Sequence, residues 1–177
     1  MNGGLDSPIL RFYEGDAPDD RGRYLPEIQQ WPDERLEAVH DFIQWMFPLA
    51  ERSGANPGAP ILDDDAIREF RSRADLQERL RASFLRMLRF YGLRIGPDAS
   101  VQRAENFSER SKNWLVAGNH NHLRITRILK SLRILGLQGE ATAFFECLTE
   151  IYREQSKGRA PISEQTFRYW RSGASSR

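Results

Sequence analysis

Six apolar residues between positions 76 and 91 recur at spacings of three and four: Leu76, Leu80, Phe84, Met87, Leu88 and Tyr91. That period places them on one face of a helix, with Arg79, Arg86 and Arg89 on the other. Asp75 followed by Glu78 resembles a capping box, and Gly92 suits the C-terminal stop. A chain containing such a stripe must pack it against other apolar faces, and the rest of the sequence supplies them in the same period. Pro32, Asp33 and Glu34 suit a helix start, and Leu36, Val39, Ile43, Met46 and Phe47 continue it as far as Pro48. Asp63 to Asp65 offers a cap for a short helix to about residue 73. Residues 101–115 read as helical with a weak pattern. Asn119 or Asn121 begins a helix that stops at Gly136. Ile125, Ile128, Leu129, Leu132 and Leu135 form its main stripe, and Leu123 and Ile134 a second, as in a helix contacted on both sides. Ala141 to Tyr152 forms a further helix, and Ser163 caps a last one carrying Phe167, Tyr169 and Trp170. No strand pair with turn chemistry stands out. The expected fold is all-α, a single compact domain of six to eight helices over residues 11–172. Residues 1–10 form a flexible leader and 173–177 a flexible tail.

Composition narrows the class. The chain has 177 residues, enough to bury roughly 70% of its unfolded surface without a metal or cross-links. Cys147 is the single cysteine, so no intrachain disulfide forms. No apolar run reaches the roughly 20 residues that span a bilayer. The N-terminus lacks a basic start followed by an apolar stretch, so a cytoplasmic protein is expected. The net charge is +1, but residues 1–75 carry −8, residues 76–118 carry +4 and residues 119–177 carry +5. Acidic and basic helices packed together account for this, as does, more sharply, a basic surface for an acidic partner.

Catalytic and metal frames are absent. The histidines are His40, His120 and His122, and no CxxC, HExxH or EF-hand pattern accompanies them. No GxSxG elbow, phosphate-binding glycine loop or dinucleotide fingerprint occurs. No metal site, no catalytic residue and no evident cofactor are therefore expected, and the chain reads as a non-enzyme. Two alternatives to a simple binding module rest on particular residues. The basic helix 122–135 suits nucleic acid if its arginines face solvent. His40 suits axial ligation of a haem within a helical pocket.

Three ordered stretches resemble one known family. They are FIQWMFPL at 42–49 preceded by His40, RFYGLRI at 89–95, and HNHLRITRILKSLRILGL at 120–137. Together with Phe12–Tyr13 and the region of Trp31 to Asp33, they resemble the conserved N-terminal region of the opioid growth factor receptor family. The likeness is close over residues 11–137 and looser over 138–170. It implies a soluble helical domain. It also implies the properties associated with eukaryotic members: binding of the pentapeptide enkephalin, growth control and a nuclear location. Those members carry long C-terminal extensions with repeats. This chain, ending at Arg177, reads as a minimal bacterial member made of the conserved domain alone. The resemblance supplies no catalytic residue. The motif residues include polar and aromatic groups beyond what a core requires: His40, Gln44, Trp45, Tyr91, Arg94, His120, Asn121, Arg124 and Arg127. These are the candidate ligand-binding residues, with aromatics for apolar contact and arginines for a carboxylate or phosphate. The expected partner is a peptide, a protein or a small anionic ligand, bound by a monomer or a homodimer.

Overall fold

A computed structural model describes residues 7–155 and 161–175. Ten α-helices lie among the described residues, eight of five residues or more and two of a single turn, with one two-stranded hairpin. The mostly helical expectation holds. The proposed leader lies outside the described residues up to position 6, and Pro8, Ile9 and Leu10 instead open the first helix. Residues 176 and 177 of the proposed tail also lie outside, while Gly173 and Ala174 are buried in the last helix. The chain forms two compact units. The first comprises residues up to Ser83 with Ile134–Gly136, and the second comprises Phe84–Arg133 and the residues from Leu137.

In the first unit, α1 (Pro8–Glu14) has a proline in its first turn, where a missing N–H costs nothing. Its Phe12 meets Trp45 edge-on at 5.3 Å, and Tyr13 meets Phe70 at 4.8 Å. The Tyr13 hydroxyl donates to the Met46 carbonyl. The helices α2 (Leu25–Gln29) and α3 (Asp33–Ala38) follow. The sequence pattern runs one helix from 32 to 47, but the structure breaks it: Val39 is extended at φ −97°, ψ 131°, and α4 (Ile43–Met46) is one turn. All eight residues from 42 to 49 are buried. A run buried on every side belongs to no single helix face, so an irregular chain path serves it better. Next, α5 (Asp64–Ser72) is capped as expected, with Asp63 Oδ1 accepting from Ala66 N at 2.7 Å. The helix α6 (Ala74–Tyr91) starts one residue before Asp75. Asp75 therefore forks Arg73 at 2.7 and 3.2 Å rather than capping the helix. Gln77 Nε2 donates to the Phe70 and Leu135 carbonyls, tying residues 134–136 to this unit.

In the second unit, α6 ends at Gly92, whose φ is +76°. A Cβ there would lie 2.9 Å from Phe107 Cα and 2.8 Å from Arg110 Cβ, so glycine is required by both conformation and space. Instead of helix, β1 (Leu93–Ile95) and β2 (Val101–Arg103) pair antiparallel, with Leu93 opposite Arg103 and Ile95 opposite Val101. Residues 101–115 thus begin as strand and continue as α7 (Phe107–Arg110) and a 3-10 turn at Ser111–Asn113. The helices α8 (Asn121–Ile134), α9 (Gln138–Gln155) and α10 (Glu164–Ala174) complete the unit. Ser163 caps α10 as expected, accepting from Thr166 N at 3.0 Å.

Candidate functional site

Three of the nine sequence-chosen residues belong to the first unit. His40 is exposed in the link between α3 and α4. Trp45 is buried and donates its indole N–H to Asp20 at 3.0 Å. Gln44 is only 4% exposed, yet its Oε1 accepts no hydrogen bond among the described residues. Around them runs a charge cluster that sequence reasoning missed. Asp19 is buried and accepts from the backbone N–H groups of Arg21 and Arg23 and from Arg23 Nε at 2.7 Å. Arg23 also donates to Asp41 at 2.8 Å, and its guanidinium stands 5.5 Å from the Trp31 ring centre. Burial works to raise the Asp41 carboxyl, but the hydrogen bond and charge of Arg23 outweigh it and hold it below the ordinary carboxylate value. Carboxylates on both sides of one arginine make this a lock between loop segments 19–23 and 41. The signal available in the sequence is the four-residue spacing of Asp19 and Arg23, which on its own does not distinguish this pair from other loop charges.

The other six belong to the second unit and occupy different settings. Tyr91 is fully buried, stacked near Phe144 and edge-on to Trp114, whose indole donates to the Tyr91 carbonyl at 3.1 Å. Arg94 is exposed on β1 opposite Gln102. Asn121 and Arg124 are buried and bonded to each other at 3.3 Å. His120 and Arg127 are half-buried. The missed residue here is His122, buried beside Trp114 and Trp170. Its Nε2 lies 2.8 Å from the Trp114 carbonyl, its own carbonyl accepts the Trp170 indole N–H at 3.0 Å, and its ring meets Trp170 edge-on. Burial is the largest influence on it and lowers its pKa against the opposing pull of the Trp114 hydrogen bond. His122 is therefore a core group held neutral, with Nε2 carrying the proton.

The basic helix has no exposed basic stripe. Along α8 the one exposed residue is Leu123, at 71%. Arg124 is buried, and Arg127, Lys130 and Arg133 are half-buried, Arg133 donating to the Gly173 carbonyl. The exposure required for groove binding is not met. The exposure of Leu123 also shows that the second apolar stripe of this helix is not covered along its whole length.

Among the described residues of the second unit, two clefts are lined by none of the nine residues. One, of about 490 Å³, lies between the hairpin and α9, with Asp98, Ser100, Gln102, Glu146, Cys147 and Glu150 in its wall. Burial, then the nearby Glu150, pushes the Cys147 thiol up to about 11, so it is not a thiolate at neutral pH. Among the described residues no set of three or more histidine, cysteine and carboxylate groups is placed to hold a metal ion. The other cleft, of about 370 Å³, lies between α9 and α10 and is lined by Phe145, Thr149, Tyr152, Arg153, Phe167 and Arg171. Tyr152 stacks on Phe167 at 4.2 Å and 5°, and Phe145 lies 5.6 Å from Phe167 at 25°. Arg171 stands 5.1 Å from the Phe167 ring centre. Helical spacing makes this wall: 145, 149 and 152 share a face of α9, and 167 and 171 a face of α10. Sequence periodicity places these aromatics on the last two helices without distinguishing them from their apolar neighbours. The half-exposure of Phe145 and Tyr152 is what sets them apart.

Residues 6–166 match the family described as the opioid growth factor receptor (OGFr) conserved region. The chain is 40% identical over 163 residues to the opioid growth factor receptor of Homo sapiens, covering 84% of this chain and 23% of that protein. It is 41% identical over 135 residues to the opioid growth factor receptor of Mus musculus, covering 73% and 21%. It is 40% identical over 138 residues to opioid growth factor receptor-like protein 1 of Mus musculus, covering 75% and 29%. The chain thus spans only about a quarter of the length of these relatives. No solved structure matches it.

Proposed function

This chain belongs to the opioid growth factor receptor family, in its conserved region, and from that premise we propose that it is a non-enzymatic helical module that recognises a ligand. The observation carrying the proposal is the cleft between α9 and α10, where three stacked rings and two arginines meet at an opening of about 370 Å³. A pocket of this kind is mostly apolar, with a few polar groups that orient the guest. Two of these relatives, from Homo sapiens and Mus musculus, are named opioid growth factor receptor. Ligand recognition, by a peptide, protein or small anion, is the part of that name carried to this chain. Cys147 is held as a thiol, and the buried His122 ring has its Nε2 engaged by the Trp114 carbonyl, so neither is presented to a substrate as a nucleophile or general base. No described helix is long and apolar enough to cross a membrane, so the proposal does not use a membrane-spanning helix.

The test is aromatic proton–carbon correlation NMR of the full chain against a panel of short peptides and small organic anions. Signals from Phe145, Tyr152 and Phe167 are expected to move together and to saturate. Thr149→Trp, which fills the cleft, is expected to abolish those shifts. Binding through other residues, or a panel that leaves the three rings unmoved, overturns the assignment of this cleft.

A further inference from the structure

We infer that the cleft between α9 and α10 takes a small planar aromatic carboxylate, an inference that rests on the reading of that cleft as the ligand site. Four observations carry it. Size is the first: about 370 Å³ is near the lower end of ligand pockets, which run from roughly 300 to 1,000 Å³. That volume suits a small molecule rather than a folded partner or a long peptide.

The second is the shape of the apolar wall. Tyr152, Phe167 and Phe145 form a column of near-parallel rings, with interplanar angles of 5° and 25° to Phe167. Offset-parallel stacking is a favourable arrangement for aromatic groups. A flat ring extends such a column, whereas a branched aliphatic group meets it only at points.

The third is the placement of polarity. Among the described residues the one uncharged polar group in the wall besides the Tyr152 phenol is the Thr149 hydroxyl, and its proton is already donated to the Phe145 carbonyl at 2.8 Å. The interior therefore offers a guest little hydrogen bonding, and the guest's polar group must sit at the mouth. Among the described residues the charges there are of one sign, Arg153 and Arg171, and no carboxylate lines the cleft.

The fourth is Arg171 itself. It is exposed and lies against the Phe167 ring. A guanidinium is weakly hydrated, stacks on rings and forks a carboxylate through two parallel N–H bonds. Held at the edge of an aromatic column, it meets an anion attached directly to a flat ring.

The experiment compares 2-naphthoate with its neutral counterpart, 2-naphthalenemethanol, on the full chain. Calorimetry gives the affinities and aromatic NMR reports on the three rings. Naphthoate is expected to bind about tenfold more tightly than the alcohol, the scale of one charge-assisted hydrogen-bonded contact. Arg171→Gln, at an exposed position, is expected to bring the two ligands to near-equal affinity while leaving the fold intact. Equal affinity of both ligands for the wild type overturns the anion preference but leaves the cleft as the ligand site. Absence of any ring shift with either ligand overturns the cleft as well. A ninefold or greater naphthoate preference that survives Arg171→Gln and Arg153→Gln together would also overturn the inference, because the arginines would then not be its source.

Discussion

At the residue scale, single side chains show why burial, not residue type, assigns a role. His122 titrates in a direction that can be measured. Its folded pKa lies below the ordinary histidine value because burial disfavours the charged ring. Between the folded and unfolded values the unfolded chain binds more protons, so stability rises with pH across that window. The contribution is complete above about pH 6.5 and is lost as pH falls below it. Urea melts at about pH 7.5 and pH 5.5 are expected to show this loss. In His122→Gln, which keeps a donor for Trp114, the slope is expected to flatten although stability at neutral pH falls. An unchanged slope would show that another group titrates there. Gly92 gives a second residue-scale prediction. Its φ of +76° and the 2.9 Å approach of Phe107 Cα leave no room for a methyl group. Gly92→Ala is expected to cost at least about 2 kcal/mol, seen as a fall in the denaturation midpoint with unchanged cooperativity. Of the candidate site residues, Gln44, Trp45, Tyr91, Asn121 and Arg124 prove to be buried, His40 and Arg94 exposed, and His120 and Arg127 half-buried. The sequence marked them as special without separating these settings, because exposure depends on residues far along the chain.

At the element scale, long amphipathic helices and their caps were legible. The stripe of α6, the caps Asp63 and Ser163, and the stop at Gly136 all stand where side-chain chemistry places them. Each of these signals is local, arising within a turn or two of helix. Ser163→Ala is expected to destabilise the protein by about 1 kcal/mol, read from thermal or urea melts. A change within experimental error would show that α10 is held by packing alone. The hairpin was illegible for the opposite reason. Three-residue strands give too few positions for a period of two to show, and the turn lacks the Asn-Gly or Asp-Gly pair that marks a hairpin. Its Ala99 instead sits at φ 62°, a conformation in which an alanine side chain is strained. Ala99→Gly is expected to stabilise the protein by roughly 0.5–1 kcal/mol, with tighter amide-exchange protection across β1 and β2. Loss of stability would mean that the entropy of the added glycine outweighs the relief. The break between α3 and α4 belongs to the same class of miss. Helical spacing over 36–47 is real, but the burial of every residue from 42 to 49 overrides it.

At the scale of the whole molecule, charge and burial together set the expectation for nucleic acid as a partner. A net charge of +1 offers little general attraction to a polyanion. The arginines of α8, the only basic helix singled out for nucleic acid, are buried or half-buried. Duplex DNA is therefore expected to run unshifted in a gel with micromolar protein at about 0.15 M salt. A shift under those conditions would require a basic surface other than α8. Local sequence marks the chain as helical, caps α5 and α10, stops α8 at Gly136 and carries the family likeness, but α6 starts before Asp75 and α9 runs from Gln138 to Gln155 rather than from Ala141 to Tyr152. Those properties rest on local periodicity, capping chemistry and ordered motifs, each contained in a short stretch. Packing alone buries Arg124, sets Arg23 between Asp19 and Asp41, and brings Phe145 and Tyr152 against Phe167 beside two arginines. Those facts depend on which faces meet. An apolar stripe shows only that a face will be covered, whereas the path of the chain decides what covers it and what is left open to a ligand.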